Sequence, residues 1–224
     1  MKFTFLSIFP DLINGYFSAS ILKRAIDLKL IDIEIIDFRK FSKNKYNKID
    51  YPPIGGGAGM LISADVLENA INSIKNDNSH IIFLTPSAKL FNQRDSRRLS
   101  NYEHIIFICG RYEGIDERII ETCVDEVFCI GSYIITGGEL ASLIICDCIS
   151  RNLDNVIGNP NSILDESFEN DLLEPPLFTR INDITKQYCS HPSEYSKGNH
   201  HKISSLKHKL SVMKTKYFRP DMYK

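Results

Sequence analysis

Apolar residues along this chain recur in two alternating rhythms. Runs dominated by apolar residues at 3–9, 31–38, 80–84, 104–108 and 127–130 predict strands, while apolar residues at every third or fourth position predict helices between them. Residues 20–30 carry the helical spacing in Ile21, Leu22, Ala25, Ile26 and Leu30. Residues 63–74 carry it in Val66, Leu67, Ala70, Ile71 and Ile74, with Ser63 placed to cap the helix start. Further helices are expected at 92–100, 116–124 and 140–149. Pro10 ends the first strand, and 54–60, I-G-G-G-A-G-M, holds too many glycines for regular structure.

Mostly apolar strands alternating with helices argue for an α/β fold with a mostly parallel sheet covered on both faces. Ligands of such sheets bind in the loops that leave the carboxyl ends of the strands, here at Thr85-Pro86, Cys109-Gly110 and Ile130-Gly131. The rhythm fails after Asn152. The expected organisation is therefore a main α/β domain at 1–152, a polar, acidic and proline-bearing linker at 153–184, and a small basic helical domain at 185–224. In that last part Ile203, Leu206, Leu210 and Met213 recur at helical intervals over 199–216.

A chain of 224 residues with 43% hydrophobic content can bury one sizeable core and a smaller appendage. Its net charge of -1 excludes a uniformly basic nucleic-acid binder, so any RNA contact must be local. Residues 39–48 hold five Lys or Arg and no acid, and 197–224 hold eight against the single acid Asp221. Either segment is a solvated face or an RNA-backbone contact. The start shows no signal-peptide architecture and no run approaches a membrane span, which predicts a soluble, cytoplasmic protein. Of the six cysteines, Cys109, Cys123, Cys129, Cys146 and Cys148 lie in apolar stretches without a C-x-x-C pair, so they read as small buried hydrophobes.

Two glycine-punctuated loops stand out, C-G-R-Y-E-G-I-D-E-R at 109–118 and S-Y-I-I-T-G-G-E at 132–139. Each leaves the end of an expected strand, where glycine lets a ligand approach the backbone. With F-L-S-I-F-P (5–10), G-G-G-A-G-M (55–60), S-R (150–151), E-S-F (166–168), G-N-H (198–200) and R-P-D (219–221), they make the whole chain resemble the bacterial tRNA (guanine-N1)-methyltransferases, the TrmD family of the SPOUT superfamily. Several long motifs in the right order carry this resemblance; one glycine loop alone would not.

The resemblance implies a sheet tied in a deep trefoil knot, a homodimer with each active site assembled from both subunits, and S-adenosyl-L-methionine as methyl donor. It implies a tRNA substrate methylated at N1 of guanosine 37, immediately 3′ of the anticodon, in support of reading-frame maintenance. The positions matching the family's cofactor loops are Leu84, Thr85 and Pro86, Gly110, the run Ile130, Gly131, Ser132, Tyr133, Ile134 and Ile135, and Gly137 with Gly138. Magnesium is implied as an aid to activity, although no carboxylate cluster marks a cage and no residue is assigned as a metal ligand.

Removing the N1 proton of guanine calls for a general base, which the family supplies as an aspartate just before Ser-Phe. Here Glu166 stands at that position, with Asp165 beside it as the alternative. Arg151 matches a family arginine that would stabilise charge developing on the guanine oxygen; a helix C-cap would equally favour it. Glu113 is expected to accept from the guanine edge or from the cofactor's amino group, or else simply to favour the start of the next helix. Ser132 and Ala141 depart from the family's aspartate and proline. The 55–59 loop reads as a flexible surface loop or as an RNA contact, and lacks the Gly-Lys-Ser/Thr end of a nucleotide P-loop.

Overall fold

The computed structural model describes residues 1–159, 166–179 and 191–223. They fall into two compact units, Met1–Gly158 and Asn159–Lys224. Asp165 and part of the expected linker lie outside the described residues.

The first unit runs β1 (Lys2–Ser7), α1 (Asp11–Asn14), α2 (Ser20–Asp27), β2 (Asp32–Asp37), β3 (Asp50–Tyr51), β4 (Leu61–Ile62), α3 (Ala64–Ile74), β5 (Ser79–Leu84), α4 (Gln93–Leu99), β6 (His104–Ile108), α5 (Glu117–Cys123), β7 (Glu126–Phe128) and α6 (Gly138–Ser150). Five strands form one sheet in the order β2-β1-β6-β5-β7, every neighbouring pair parallel. The two-residue strands β3 and β4 pair antiparallel apart from it.

Alternate side chains of each central strand point to opposite faces, and each face buries its own core. Phe3, Phe5, Ile82, Ile105, Phe107 and Phe128 pack with Leu22 and Ala25 of α2 and Ile145, Cys146 and Ile149 of α6. Leu6, Ile81, Phe83, Ile106 and Ile108 pack with Val66, Leu67, Ala70 and Ile71 of α3 and Ile119 of α5. Full burial of each large apolar side chain contributes about 1.5–3 kcal/mol, which makes these two layers the main source of stability. Burial also pushes the Cys109 thiol up to about 12 and the Cys146 thiol higher still, as befits apolar packing residues.

The helix starts show local chemistry at work. Asn92 caps α4 by accepting from the backbone N–H groups of Arg94 and Asp95, and Asp116 caps α5 by accepting from Arg118. Ser63 departs from expectation. It occupies the N-cap position of α3, but its hydroxyl takes no hydrogen bond from the first turn; its own N–H is held by the Ile49 carbonyl at 2.8 Å.

In the second unit the helix α7 (His200–Phe218) starts at Asn199, whose side chain accepts from the Lys202 N–H. The 166–179 segment packs on it, with the Leu173 N–H donating to Thr215 Oγ1 at 2.9 Å.

Candidate active site

The parallel register aligns Phe83 with Ile108 and Leu84 with Phe128, so β5, β6 and β7 end side by side. The loops leaving β5 and β7 are interlaced. Thr85 N–H donates to the Phe128 carbonyl at 3.0 Å; the chain then loops back, and both Cys129 N–H to Lys89 O and Phe91 N–H to Cys129 O close at 2.8 Å. The Phe91 ring meets Phe128 edge-on at 5.3 Å.

Helix α6 starts against the end of β6. Gly138 N–H donates to Gly110 O at 2.9 Å, and a Cβ on Gly138 would stand 2.9 Å from Cys109 Cα and Gly110 N. Only glycine fits there. Gly138→Ala is expected to push α6 off the strand at a cost of about 1–3 kcal/mol, more than the roughly 1 kcal/mol of helix propensity it gains. A lowered melting temperature checks this.

These loops enclose a cavity of about 310 Å³. Of the residues matched to the cofactor loops, Leu84, Thr85, Pro86, Gly110, Ile130, Gly131, Tyr133, Ile134, Ile135, Gly137 and Gly138 all line it, as do Glu113 and Ala141. Ser132 alone does not; it is exposed on the turn closed by Tyr133 N–H to Gly131 O.

Glu113 is held by a second glycine loop. Its N–H donates to Met60 O at 3.0 Å, and Gly59, at φ 85°, lies so near that a Cβ would come within 2.4 Å of Glu113 Cγ. Residues 55–60 therefore brace the 110–114 loop, and their contact with Glu113 requires a glycine in the left-handed region.

Sequence reasoning missed the pair Arg111 and Glu139. Glu139, 2% exposed, accepts from Arg111 Nε at 2.9 Å and from Ser7 Oγ at 2.7 Å. Arg111 also donates to Thr136 O at 3.1 Å, lies 4.7 Å over the Phe9 ring and lines the cavity. A buried carboxylate of this kind is tolerable because it is both paired and hydrogen-bonded. The available signal was an acid, Glu139, opening the mostly apolar stretch that forms α6.

Arg151 takes the C-cap position of α6, its N–H donating to Asp147 O at 3.1 Å. The 13 residues of α6 span about 20 Å at 1.5 Å per residue. Arg151 thus lies at the far end of that helix from the cavity of its own chain. Glu166 belongs to the second unit, where it lines a cavity of about 280 Å³ with Asn170, Glu174, Ser204, Lys207 and His208. Among the described residues, no group of three or more His, Cys, Asp or Glu side chains could hold a metal ion.

Fold and cavity define a parallel α/β protein with its ligand cleft at the carboxyl ends of adjacent strands. Comparison with known proteins narrows this class. The family model described as tRNA (Guanine-1)-methyltransferase TrmD matches residues 1–224. Curated relatives named tRNA (guanine-N(1)-)-methyltransferase include one from Helicobacter hepaticus, 52% identical over 100% of this chain and 92% of its own length. Another, from Sulfurimonas denitrificans, is 54% identical over 99% of this chain and 96% of its own. The chain belongs to the tRNA (guanine-1)-methyltransferase, or TrmD, family.

Proposed function

We propose that this chain is a tRNA (guanine-N1)-methyltransferase that uses S-adenosyl-L-methionine to methylate N1 of guanosine 37, next to the anticodon, and thereby supports reading-frame maintenance. The observation that carries this reading is the gathering of the matched loop residues around one cleft in a chain of this family.

The cleft suits the methyl donor. Leu84, Ile130, Ile134, Ile135 and Ala141 offer apolar walls for a flat base, the glycines leave backbone groups within reach, and the Glu113 carboxylate complements a cationic ligand. When bound, S-adenosyl-L-methionine supplies a methyl carbon activated by its sulfonium. The protein's part is to hold guanine N1 in line with that carbon and to take its proton. Glu166 takes the proton, and Arg151 hydrogen-bonds the guanine oxygen, where negative charge gathers. Magnesium, also implied by the family resemblance, has no cage among the described residues, and no step above passes through it.

The enzyme acts as a homodimer in the cytoplasm. Two observations support pairing. Arg151 stands about 15 Å along α6 from Ala141 in the cleft wall of its own chain, which favours a site completed by a partner's copy. An apolar strip of Phe9, Leu12, Tyr16, Leu140 and Ile144, each at least 40% exposed, lies on α1, α6 and the turns flanking α1. A knotted path is supported by the interlacing of 85–91 with 128–129. No helix among the described residues is long and apolar enough to cross a membrane. The expected division of labour gives tRNA binding to the basic C-terminal helical part and the catalytic acid to the segment before it.

The test is methyl transfer to tRNA transcripts carrying guanosine 37 or adenosine in its place. Product from the first alone is expected. Equal product from both would reject the assigned position and point to another RNA-methylating activity, and none from either would favour a non-catalytic RNA-binding module.

A further inference from the structure

A second cavity, about 590 Å³, lies beside the braced glycine loop and takes no part in the chemistry above. Its walls come from Tyr51, Pro53, Ile54, Ser63, Glu68 and Arg118, among others. We infer that this cavity receives an unpaired, amino-bearing base of the RNA substrate, stacked on Tyr51; the inference rests on the proposed RNA methylation and adds a second recognition site to it.

Three features support it. Tyr51 is 45% exposed and offers an aromatic face at the cavity wall, and base stacking on such a ring needs no particular sequence. Lys48 Nζ lies over that ring, 4.4 Å from its centroid, so an entering base takes the ring's other face or displaces the ammonium, which ends the acid-free basic stretch 39–48 and can then meet the phosphate of the stacked nucleotide. The lining carries the carboxylates of Asp65 and Glu68, while its Arg118 is engaged by Asp116 at 2.6 Å. An anion is therefore disfavoured inside, whereas carboxylates accept well from a base amino group.

The cavity also adjoins the cleft through one loop. Residues 52–54 line it, and Gly59 and Met60 of the same segment hold Glu113, which lines the cofactor cleft. A base seated against this segment would fix the register of the RNA relative to the reacting nucleotide.

Cytidine and uridine monophosphate differ at the base by an amino group against a carbonyl, which makes them suitable probes. With the full chain saturated in S-adenosylhomocysteine to occupy the cleft, the cytidine nucleotide is expected to perturb the Tyr51 ring resonances at concentrations where the uridine nucleotide does not. Tyr51→Ala should raise KM for tRNA about tenfold, the scale of one stacked base, with kcat nearly unchanged and Tyr51→Phe restoring the wild-type value. No perturbation by either nucleotide, or a Tyr51→Ala enzyme with wild-type KM, would overturn the cavity's role while leaving methyl transfer intact. Failure of the wild-type chain to methylate tRNA would instead count against the function itself, and the nucleotide titration would still decide the cavity.

Discussion

Glu166→Gln is expected to lower kcat by about 10²–10⁴-fold, the range over which a positioned base accelerates proton transfer. The amide keeps the size and polarity of the side chain and cannot take the N1 proton. Affinity for the methyl donor should stay unchanged, because every residue lining the cleft belongs to the first unit and Glu166 to the second. Single-turnover transfer of a labelled methyl group, measured beside cofactor affinity, separates the two effects. Retained turnover would move the proton to another acceptor, with Asp165 the neighbour to test next. Loss of cofactor affinity in step with turnover would mean that the substitution disturbs the cleft and not the base.

The second large effect concerns the buried ion pair under the cleft. Arg111→Met keeps most of the side-chain volume but strips Glu139, 2% exposed, of its cationic partner and leaves it the hydrogen bond from the Ser7 hydroxyl. Removing one member of a buried pair costs about 3–5 kcal/mol. For a chain of this size that lowers the melting temperature by about 6–20 °C. The pair lies among the first residues of α6 and the loop after β6, so cofactor affinity should fall with stability. Replacing both residues, Arg111→Met with Glu139→Leu, removes the stranded carboxylate and should recover part of the loss. A melting temperature unchanged in the single variant would show that the pair contributes no net stability.

Most of the parallel sheet is legible in the sequence, and the reasons lie in particular residues. β6 is readable to the residue because His104–Ile108 is an almost wholly apolar run between Glu103 and the Cys109-Gly110 turn. β7 is shorter than its apolar run suggests. Cys129 turns aside to pair with Lys89 and Phe91, so the run continues through a loop contact and not through the ladder. β3 and β4 are illegible for a simple reason: two residues each carry no period. The capping role expected of Ser63 fails because residue type signals a helix start but cannot say where the hydroxyl turns.

The cleft is legible wherever glycine spacing reports close backbone approach, as at Gly110 and Gly138. It is not legible where distant residues meet. Arg111 and Glu139 lie 28 positions apart, and Ser7 and Glu139 lie 132 apart, so no local pattern announces their contact. The glycine loop at 55–60, expected to be a flexible surface or an RNA contact, proves to brace Glu113. Its positive φ angles are visible only in the folded chain. Arg151 carries the opposite lesson: sequence motifs group it with the cleft, while about 15 Å of helix, from Ala141 in the cleft wall onward, separates them within one chain, which is why the proposed mechanism calls on a second copy.

The central claim is that the loops after β5, β6 and β7 bind S-adenosyl-L-methionine. Isothermal titration of the folded chain with S-adenosylhomocysteine tests it most directly. Saturable heat is expected from the wild-type chain and none from a Gly138→Val variant that remains folded, since branched bulk there would enter the cleft wall. Absence of heat from folded wild-type protein, or heat undiminished in that variant, would contradict the claim.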